Sequence, residues 1–262
     1  SRDWSSDVCS SDLNTVKALH DKLLQSKIEH EIVVVNDNSR DRTREILSSL
    51  QRDIPQLRVI DNAPPNGFGY AVRAGLREFT GDLVSIYMAD ASDSPDDLVK
   101  YYETLLKRNV DCVFGSRFRR GSKIVDYPWF KLVLNRIINL WIQILFGLRF
   151  NDVTNAFKIY KRHVIEGLEP LISPHFNLTV ELPLKAIVRG YSYAVVPISW
   201  TNRKTGVSKL NLQEMGSRYL FIILYCFIEK WLSRGDYHRH RRSRGASPSS
   251  KKMSHTKSLN RN

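Results

Sequence analysis

Apolar and polar positions along this chain switch between two periods, and the switching predicts its architecture. Across residues 14–27, Val16, Leu19, Leu23 and Leu24 recur on one face of a 3.6-residue turn, which predicts a helix. Ile32, Val33, Val34 and Val35 follow as an unbroken β-branched run, the pattern of a strand buried on both faces of a parallel sheet. The two signals then repeat. Helices are expected over 42–51, 70–79 and from Pro95 to 108; strands over 57–60, 83–88 and 111–114; a Pro/Gly loop over 63–69. Strands alternating with helices predict βαβ units, hence an α/β fold with a mostly parallel sheet flanked by helices. Ligands of open α/β sheets sit beyond the carboxyl ends of the strands. The loops after Val35, Ile60, Met88 and Phe114 are therefore the expected walls of a site. Such a sheet normally begins on a strand and this chain begins on a helix, so a first strand is expected to be missing.

The second half changes character. Residues 127–150 are rich in Trp, Phe, Leu and Ile, interrupted by Lys131, Arg136 and Asn139, and residues 219–232 are similar, with Glu229 and Lys230 near their end. Two readings fit. One is amphipathic helices lying in a bilayer interface, with aromatics at headgroup level and basic residues reaching out. The other is core helices of a soluble domain. With no run of about 18 uncharged apolar residues, no transmembrane helix is expected. Residues 1–13 (S-R-D-W-S-S-D-V-C-S-S-D-L) follow neither period and are expected to be a non-native or disordered leader. The expected organisation is thus a globular domain over 14–210, an amphipathic helix over 211–233 and a disordered basic tail over 234–262.

Composition changes this picture mainly through charge. A formal +13 suggests a nucleic-acid binder until it is located: nine Lys/Arg stand against the single acid Asp236 between Ser233 and Asn262. The excess is a tail property, and the body carries no recognisable nucleic-acid module, so no such partner is expected. A basic tail instead favours an anionic membrane surface. Cys9, Cys112 and Cys226 have neither metal spacing nor an even-numbered framework, which predicts a reduced, cytosolic setting.

Several strand ends carry polar motifs in a fixed order. V-V-V-N-D-N-S-R-D-R-T (Val33 to Thr43) places Asp37 where a carboxylate can accept hydrogen bonds from a base or ribose; an Asx turn capping the next helix competes for Ser39 and Asp41. N-G-F-G-Y-A-V-R-A-G (Asn66 to Gly75) is a glycine loop opening a helix, suited to phosphate. Y-M-A-D-A-S-D-S-P (Tyr87 to Pro95) ends a strand on Asp90 and Asp93, the latter also able to cap the helix at Pro95. G-S-R-F (Gly115 to Phe118), L-N-R-I-I-N (Leu134 to Asn139), N-D-V-T-N-A-F-K (Asn151 to Lys158), F-N-L-T-V-E-L (Phe176 to Leu182) and R-K-T-G-V-S-K (Arg203 to Lys209) follow. In this order the series resembles family 2 glycosyltransferases, and within them the dolichyl- or polyprenyl-phosphate mannose (or glucose) synthase subgroup, from Asn14 to about Asp236. It departs from the family pattern at Asn36 and at Met88, each standing where the family usually has Asp.

The resemblance implies a GT-A-type, Rossmann-like fold and inverting transfer of a hexose from a nucleotide-sugar, of the GDP-mannose or UDP-glucose type, to a polyprenyl phosphate at the cytoplasmic face of a membrane. It implies donor contacts from Asp37, Asn38, Asp41, Asn66, Gly67, Gly69 and Asp90, and a Mg²⁺ or Mn²⁺ ion held by Asp90 with Asp93. Arg117, Arg136, Arg203, Ser208 and Lys209 would gather around the acceptor phosphate, Asp90 and Arg117 being the catalytic pair. Asp152 and Glu181 are the carboxylates available as a base, should the acceptor be a hydroxyl, or as structural acids. A transferase to a glycan hydroxyl and a non-catalytic sugar-nucleotide or membrane-binding relative are the competing readings.

Overall fold

The computed structural model describes residues 10–39, 42–202 and 212–239. The elements run α1 (Ser10–Gln25), β1 (Ile32–Asn36), α2 (Thr43–Asp53), β2 (Leu57–Asp61), α3 (Phe68–Glu78), β3 (Leu83–Ser85), α4 (Pro95–Arg108) and β4 (Cys112–Ser116). Then follow β5 (Lys123–Val125), α5 (Trp129–Phe146), β6 (Lys158–Lys161), α6 (Arg162–Leu168), α7 (Leu178–Val188), β7 (Tyr193–Pro197), β8 (Ser199–Thr201) and α8 (Leu212–Leu232). The alternation expected of the first half is present. Helix α4 shows why its bounds were legible. Pro95 occupies its first turn beside Asp96 and Asp97, Lys107 and Arg108 close its last, and Asn109 ends it in the left-handed region at φ 46°. Each choice suits the helix dipole or its unsatisfied terminal groups.

The sheet is mixed and falls into three parts. β1 and β2 pair in parallel; β3, β6, β4 and β7 lie side by side in that order; β5 and β8 form a small parallel pair. β4 runs parallel to β7, while β6 is antiparallel to both β3 and β4. No ladder joins β1 to β3 among the described residues. Their N-terminal ends are linked by a side chain instead, the Glu31 carboxylate accepting from Thr80 N and Oγ1 and from Gly81 N. The expected strand over 83–88 stops at Ser85, and residues 86–88 continue without a ladder partner.

Two apolar clusters lie on opposite faces of the central sheet. Along β4, Cys112 and Phe114 point into one with Phe150, Tyr160, Leu178 and Ile222, while Val113 points into the other with Leu57, Leu98, Tyr101 and Phe157. Every residue of α7 from Leu178 to Ala186 is buried, Pro183 included. A helix buried on all sides has no amphipathic period, which is why sequence patterning assigns nothing there.

Both terminal boundaries move from their expected places. Residues 10–13, expected within the leader, are already helical. At the other end residues 234–239 are not free tail: Arg239 N donates to Arg189 O, its guanidinium pairs with Asp111, and the Tyr237 ring lies 5.3 Å from the Arg189 guanidinium. The reason is a buried ion pair that fixes the end of α8. Arg189 Nε and Nη2 reach Glu229 Oε1 and Oε2 at 2.7 and 3.0 Å, and Arg189 Nη1 donates to the carbonyls of Gly167 and Glu169. Arg189→Ala should leave a buried, unpaired Glu229 and cost about 3–5 kcal/mol in urea unfolding, whereas Arg189→Met with Glu229→Leu recovers most of the loss. Equal stability of Arg189→Ala and wild type would contradict this account.

Candidate active site

The carboxyl ends of β1, β2, β3 and β4 deliver the polar motifs to one edge of the fold. At the end of β1, Asn36 Nδ2 donates to Asp61 Oδ1 at 2.8 Å and its Oδ1 accepts Ser39 N at 3.1 Å, so Asn36 makes an Asx-type turn. Asp37 is committed to the glycine loop: Oδ1 accepts Asn62 Nδ2 at 2.6 Å and Oδ2 accepts Gly67 N at 2.8 Å. Asn38, at φ 58°, donates to Asn66 Oδ1 at 2.6 Å. Asp37, Asn38, Asn66 and Gly67 are thus brought together.

The two glycines serve a different approach from the expected one. A Cβ on Gly69 would lie 2.5 Å from Ser173 O and from the Pro174 carbonyl carbon, and Gly69 N donates to Pro174 O. At Gly67 (φ 142°) the nearest atoms belong to Pro174 and His175. Backbone meets backbone here, and the Phe68 ring stacks on Phe176 at 4.1 Å. The glycines let the loop seat against residues 173–176.

Beyond β3, Ala91 at φ 57° turns the chain so that Asp90 and Asp93 stand close enough for their charges to interact. Asp90 Oδ1 accepts Ser92 N at 3.1 Å. Asp93 is buried, its Oδ1 has no hydrogen-bond partner among the described residues, and burial followed by the like charge of Asp90 raises its carboxyl to about 7. An orphaned buried carboxylate oxygen beside a second carboxylate is what a bound cation would relieve. No cluster of three His, Cys, Asp or Glu able to hold a metal occurs among the described residues. The two carboxylates therefore suit an ion that takes its other ligands from water and substrate phosphates, as Mg²⁺ and Mn²⁺ do. Asp90 and Asp93 fit such an ion, with chemistry limited to neutralising a diphosphate.

At the end of β4 a buried charge pair dominates. Arg117 Nε and Nη2 grip Asp152 Oδ2 and Oδ1 at 2.9 and 2.7 Å, and Arg117 N donates to the same carboxylate at 2.8 Å. Nη1 alone has no hydrogen-bond partner among the described residues. Residues 151–155 are themselves held from α5: Asn139 Oδ1 accepts Val153 N at 2.6 Å and its Nδ2 donates to Thr154 Oγ1 at 3.1 Å. Below them the Lys158 ammonium donates to the carbonyls of Val153 and Thr179, and burial pulls it down to about 7. Arg136 is exposed on α5, its guanidinium 4.8 Å from the Phe118 ring.

Both carboxylates named as base or structural acid take the structural part. Asp152 is wholly buried against Arg117. Glu181 is wholly buried too, paired with Lys185 at 2.6 Å and accepting from Ile172 N and Ser173 N. With Lys158, they are saturated by partners and make no contact that a substrate hydroxyl could share. Asp41, Arg203, Ser208 and Lys209 lie outside the described residues. Sequence reading missed the aromatic rings around Arg117, namely Tyr127 and Trp200 at 5.6 and 6.0 Å from its guanidinium. The only available signal was Tyr127 standing just ahead of the Trp-Phe pair that opens α5.

Known proteins resemble this chain in sequence and in fold. The sequence model of Glycosyl transferase family 2 matches residues 13–168. The polyprenol monophosphomannose synthase of Mycolicibacterium smegmatis is 32% identical over 187 residues, 69% of this chain and 70% of that protein. The undecaprenyl-phosphate mannosyltransferase of Micrococcus luteus is 26% identical over 208 residues, 78% of this chain and 85% of that one. Among solved structures, glucosyl-3-phosphoglycerate synthase from Mycobacterium tuberculosis, bound to Mn²⁺, uridine diphosphate and phosphoglyceric acid, superposes with a TM-score of 0.59 at 16% identity. That similarity covers 83% of this chain and 74% of the other, and it concerns the fold.

The Asp93 carboxyl generates a pH-dependent prediction. Its pKa is raised from 3.8 to about 7 on folding, so its contribution to stability is full below 3.8 and is lost as pH rises through about 7. In metal-free buffer the melting temperature of the wild type should fall between pH 5 and 8 by several degrees more than that of Asp93→Asn. Added Mn²⁺ should restore it at pH 8 in the wild type only. Parallel pH profiles for the two proteins would show that Asp93 is not the strained group.

Proposed function

The chain belongs to glycosyl transferase family 2, and on that premise we propose that it moves a hexose, mannose in the first instance, from a nucleotide-sugar to a polyprenyl phosphate at a membrane surface. That it is a glycosyltransferase follows from the family. The lipid acceptor is supported by one observation above the others: two helices beside the Arg117–Asp152 site present bare apolar faces. On α5, Trp129, Phe130, Val133, Ile137, Leu140 and Ile144 are exposed while Asn139, Ile142 and Phe146 dock on the domain. On α8, Phe221, Leu224, Ile228, Trp231 and Leu232 are exposed while Ile222, Ile223, Cys226 and Glu229 are buried. So many large apolar side chains exposed on two helices that touch each other mark an interaction site. α5 is also long and apolar enough, by length and composition, to cross a bilayer. The interfacial reading fits better, because one face of α5 is spent on the protein and Lys131 and Arg136 sit within its length. The names of the two mannosyl-transferring relatives point to the same acceptor class and to mannose.

The chemistry asks little of a base. A phosphate monoester has a second pKa of about 6, so it is already a dianionic nucleophile near neutral pH. Its oxygen attacks the anomeric carbon, the bond to the donor diphosphate breaks, and the nucleoside diphosphate leaves with its electron pair, inverting the centre. The protein's part is positioning and charge neutralisation. Arg117, held by Asp152, offers Nη1, and Arg136 offers an exposed guanidinium. The loop built on Asp37, Asn38, Asn66 and Gly67 seats the nucleotide end. A divalent ion held by Asp90 and Asp93 would neutralise the leaving diphosphate. Asp152 and Glu181, tied to the buried cations Arg117 and Lys185, are not placed to deprotonate a hydroxyl acceptor.

Labelled sugar from GDP-mannose, and from UDP-sugars in turn, should enter the organic phase with polyprenyl phosphate and Mn²⁺ and be released by mild acid. Label entering 3-phosphoglycerate instead would replace this acceptor with a soluble one. For the membrane contact, Ile137→Glu with Ile144→Glu should reduce pelleting with phospholipid vesicles about tenfold or more, since each buried isoleucine contributes roughly 1.5–3 kcal/mol. Removal of residues 240–262 should weaken pelleting with anionic vesicles selectively. Pelleting unchanged by the paired substitutions would sink the interfacial reading.

A further inference from the structure

Three aromatic rings surround the Arg117 guanidinium and do not close over it. Phe118, Tyr127 and Trp200 lie 5.5, 5.6 and 6.0 Å from it, and Tyr127 packs on Trp200 at 4.7 Å between centroids. The small parallel pairing of β5 with β8 fixes this arrangement, setting Ile124 opposite Trp200 just ahead of Tyr127. Arg117 itself is buried at 8% exposure, whereas all three rings are half-buried and keep part of their surfaces open. A cage serving only to hold one arginine would be closed around it. Arg136, exposed and with no carboxylate partner among the described residues, has its guanidinium 4.8 Å from the same Phe118 ring. Two residues after Tyr127 the bare face of α5 begins at Trp129.

Charge and apolar surface therefore meet here: two guanidinium groups lie against the Phe118 ring, Tyr127 and Trp200 stand half-open beside Arg117, and the exposed apolar residues of α5 begin two residues beyond Tyr127. A phosphate monoester bonded to Arg117 Nη1 and Arg136 would carry its first carbons against those rings before the rest of the chain reached α5. We propose that Phe118, Tyr127 and Trp200 form a subsite for the first isoprene unit of a prenyl phosphate, so that the enzyme distinguishes a branched, unsaturated chain from a straight saturated one next to the phosphate. This rests on the lipid-phosphate reading above and goes beyond it by naming residues that choose the lipid. A flat ring face accepts the planar, polarisable alkene and its methyl branch over a larger area than a straight methylene chain offers.

The test compares farnesyl phosphate with n-dodecyl phosphate, a straight saturated chain of the same backbone length, in wild type, Trp200→Ala and Trp200→Phe. Wild type should show a KM for farnesyl phosphate about tenfold below that for dodecyl phosphate. Trp200→Ala should erase most of that difference by raising the farnesyl KM, with the dodecyl KM moving less than threefold and the donor KM unmoved. Trp200→Phe, which keeps a ring and a fold, should retain most of the preference. An undiminished preference in Trp200→Ala would overturn the subsite. So would an equal loss for both lipids, because the rings would then serve only to hold Arg117. Transfer by wild type to neither lipid, with 3-phosphoglycerate labelled instead, would overturn the acceptor reading itself and this inference with it.

Discussion

The bidentate pair between Arg117 and Asp152 is the contact on which the rest of this site depends. It joins the end of β4 to the segment 151–155, and it does so with both the side chain and the backbone of Arg117. Burying two charges is favourable only when nearly all their hydrogen-bonding capacity is used, and here Asp152 takes three donors from one residue. Everything near the acceptor end is then indexed to that pair. Asn139 reaches it from α5 through Val153 and Thr154, Lys158 supports it from β6, and the aromatic rings flank it from β5 and β8. Removing either partner would expose the other to an apolar surround and release four elements together.

A second constraint organises the donor end and is of a different kind. Asp37, Asn38, Asn62 and Asn66 form a network of short side-chain bonds that closes the glycine loop, and Gly69 admits the backbone of residues 173–175 at a distance no side chain would permit. The β1–β2 end of the site is held by polar saturation and close backbone approach, the β4 end by a buried ion pair. Between them lie Asp90 and Asp93, the pair least satisfied by the protein itself. Strain placed where the reacting groups must meet is consistent with a ligand completing the site.

The first half of the fold was legible because its signals are local. The β-branched run at Ile32 to Val35, and the Pro95 opening with Asn109 closing α4, each encode their element within a few residues. The second half was opaque where burial removes the pattern: α7 is buried on every side and β6 carries a lysine into the core. The site divides the same way. Asp37, Asp90, Asp93, Arg117 and Arg136 could be named from ordered motifs, because the chemistry requires those residue types. Their partnerships could not. Nothing local says that Asp152 belongs to Arg117, that Gly69 faces Pro174, or that Glu229 waits for Arg189, since each pair is created by chain segments 35 or more residues apart. Trp200 was invisible for the same reason, being brought to Tyr127 only by the β5–β8 pairing.

The two apolar helices are not hinged to the domain. α5 is fastened near its middle through Asn139 and at its end by Lys230, which donates to the Phe146 carbonyl, and α8 is fastened through Glu229 to Arg189. Catalytic edge and apolar face consequently move as one block. On a bilayer, as proposed above, such a block would act as a depth gauge: the height of Arg117 above the acyl chains would be set by the lengths of the intervening side chains and not by a flexible tether. A lipid acceptor would then be selected by how far its phosphate can rise from the leaflet, a property of headgroup size and local packing that no contact with the sugar would report.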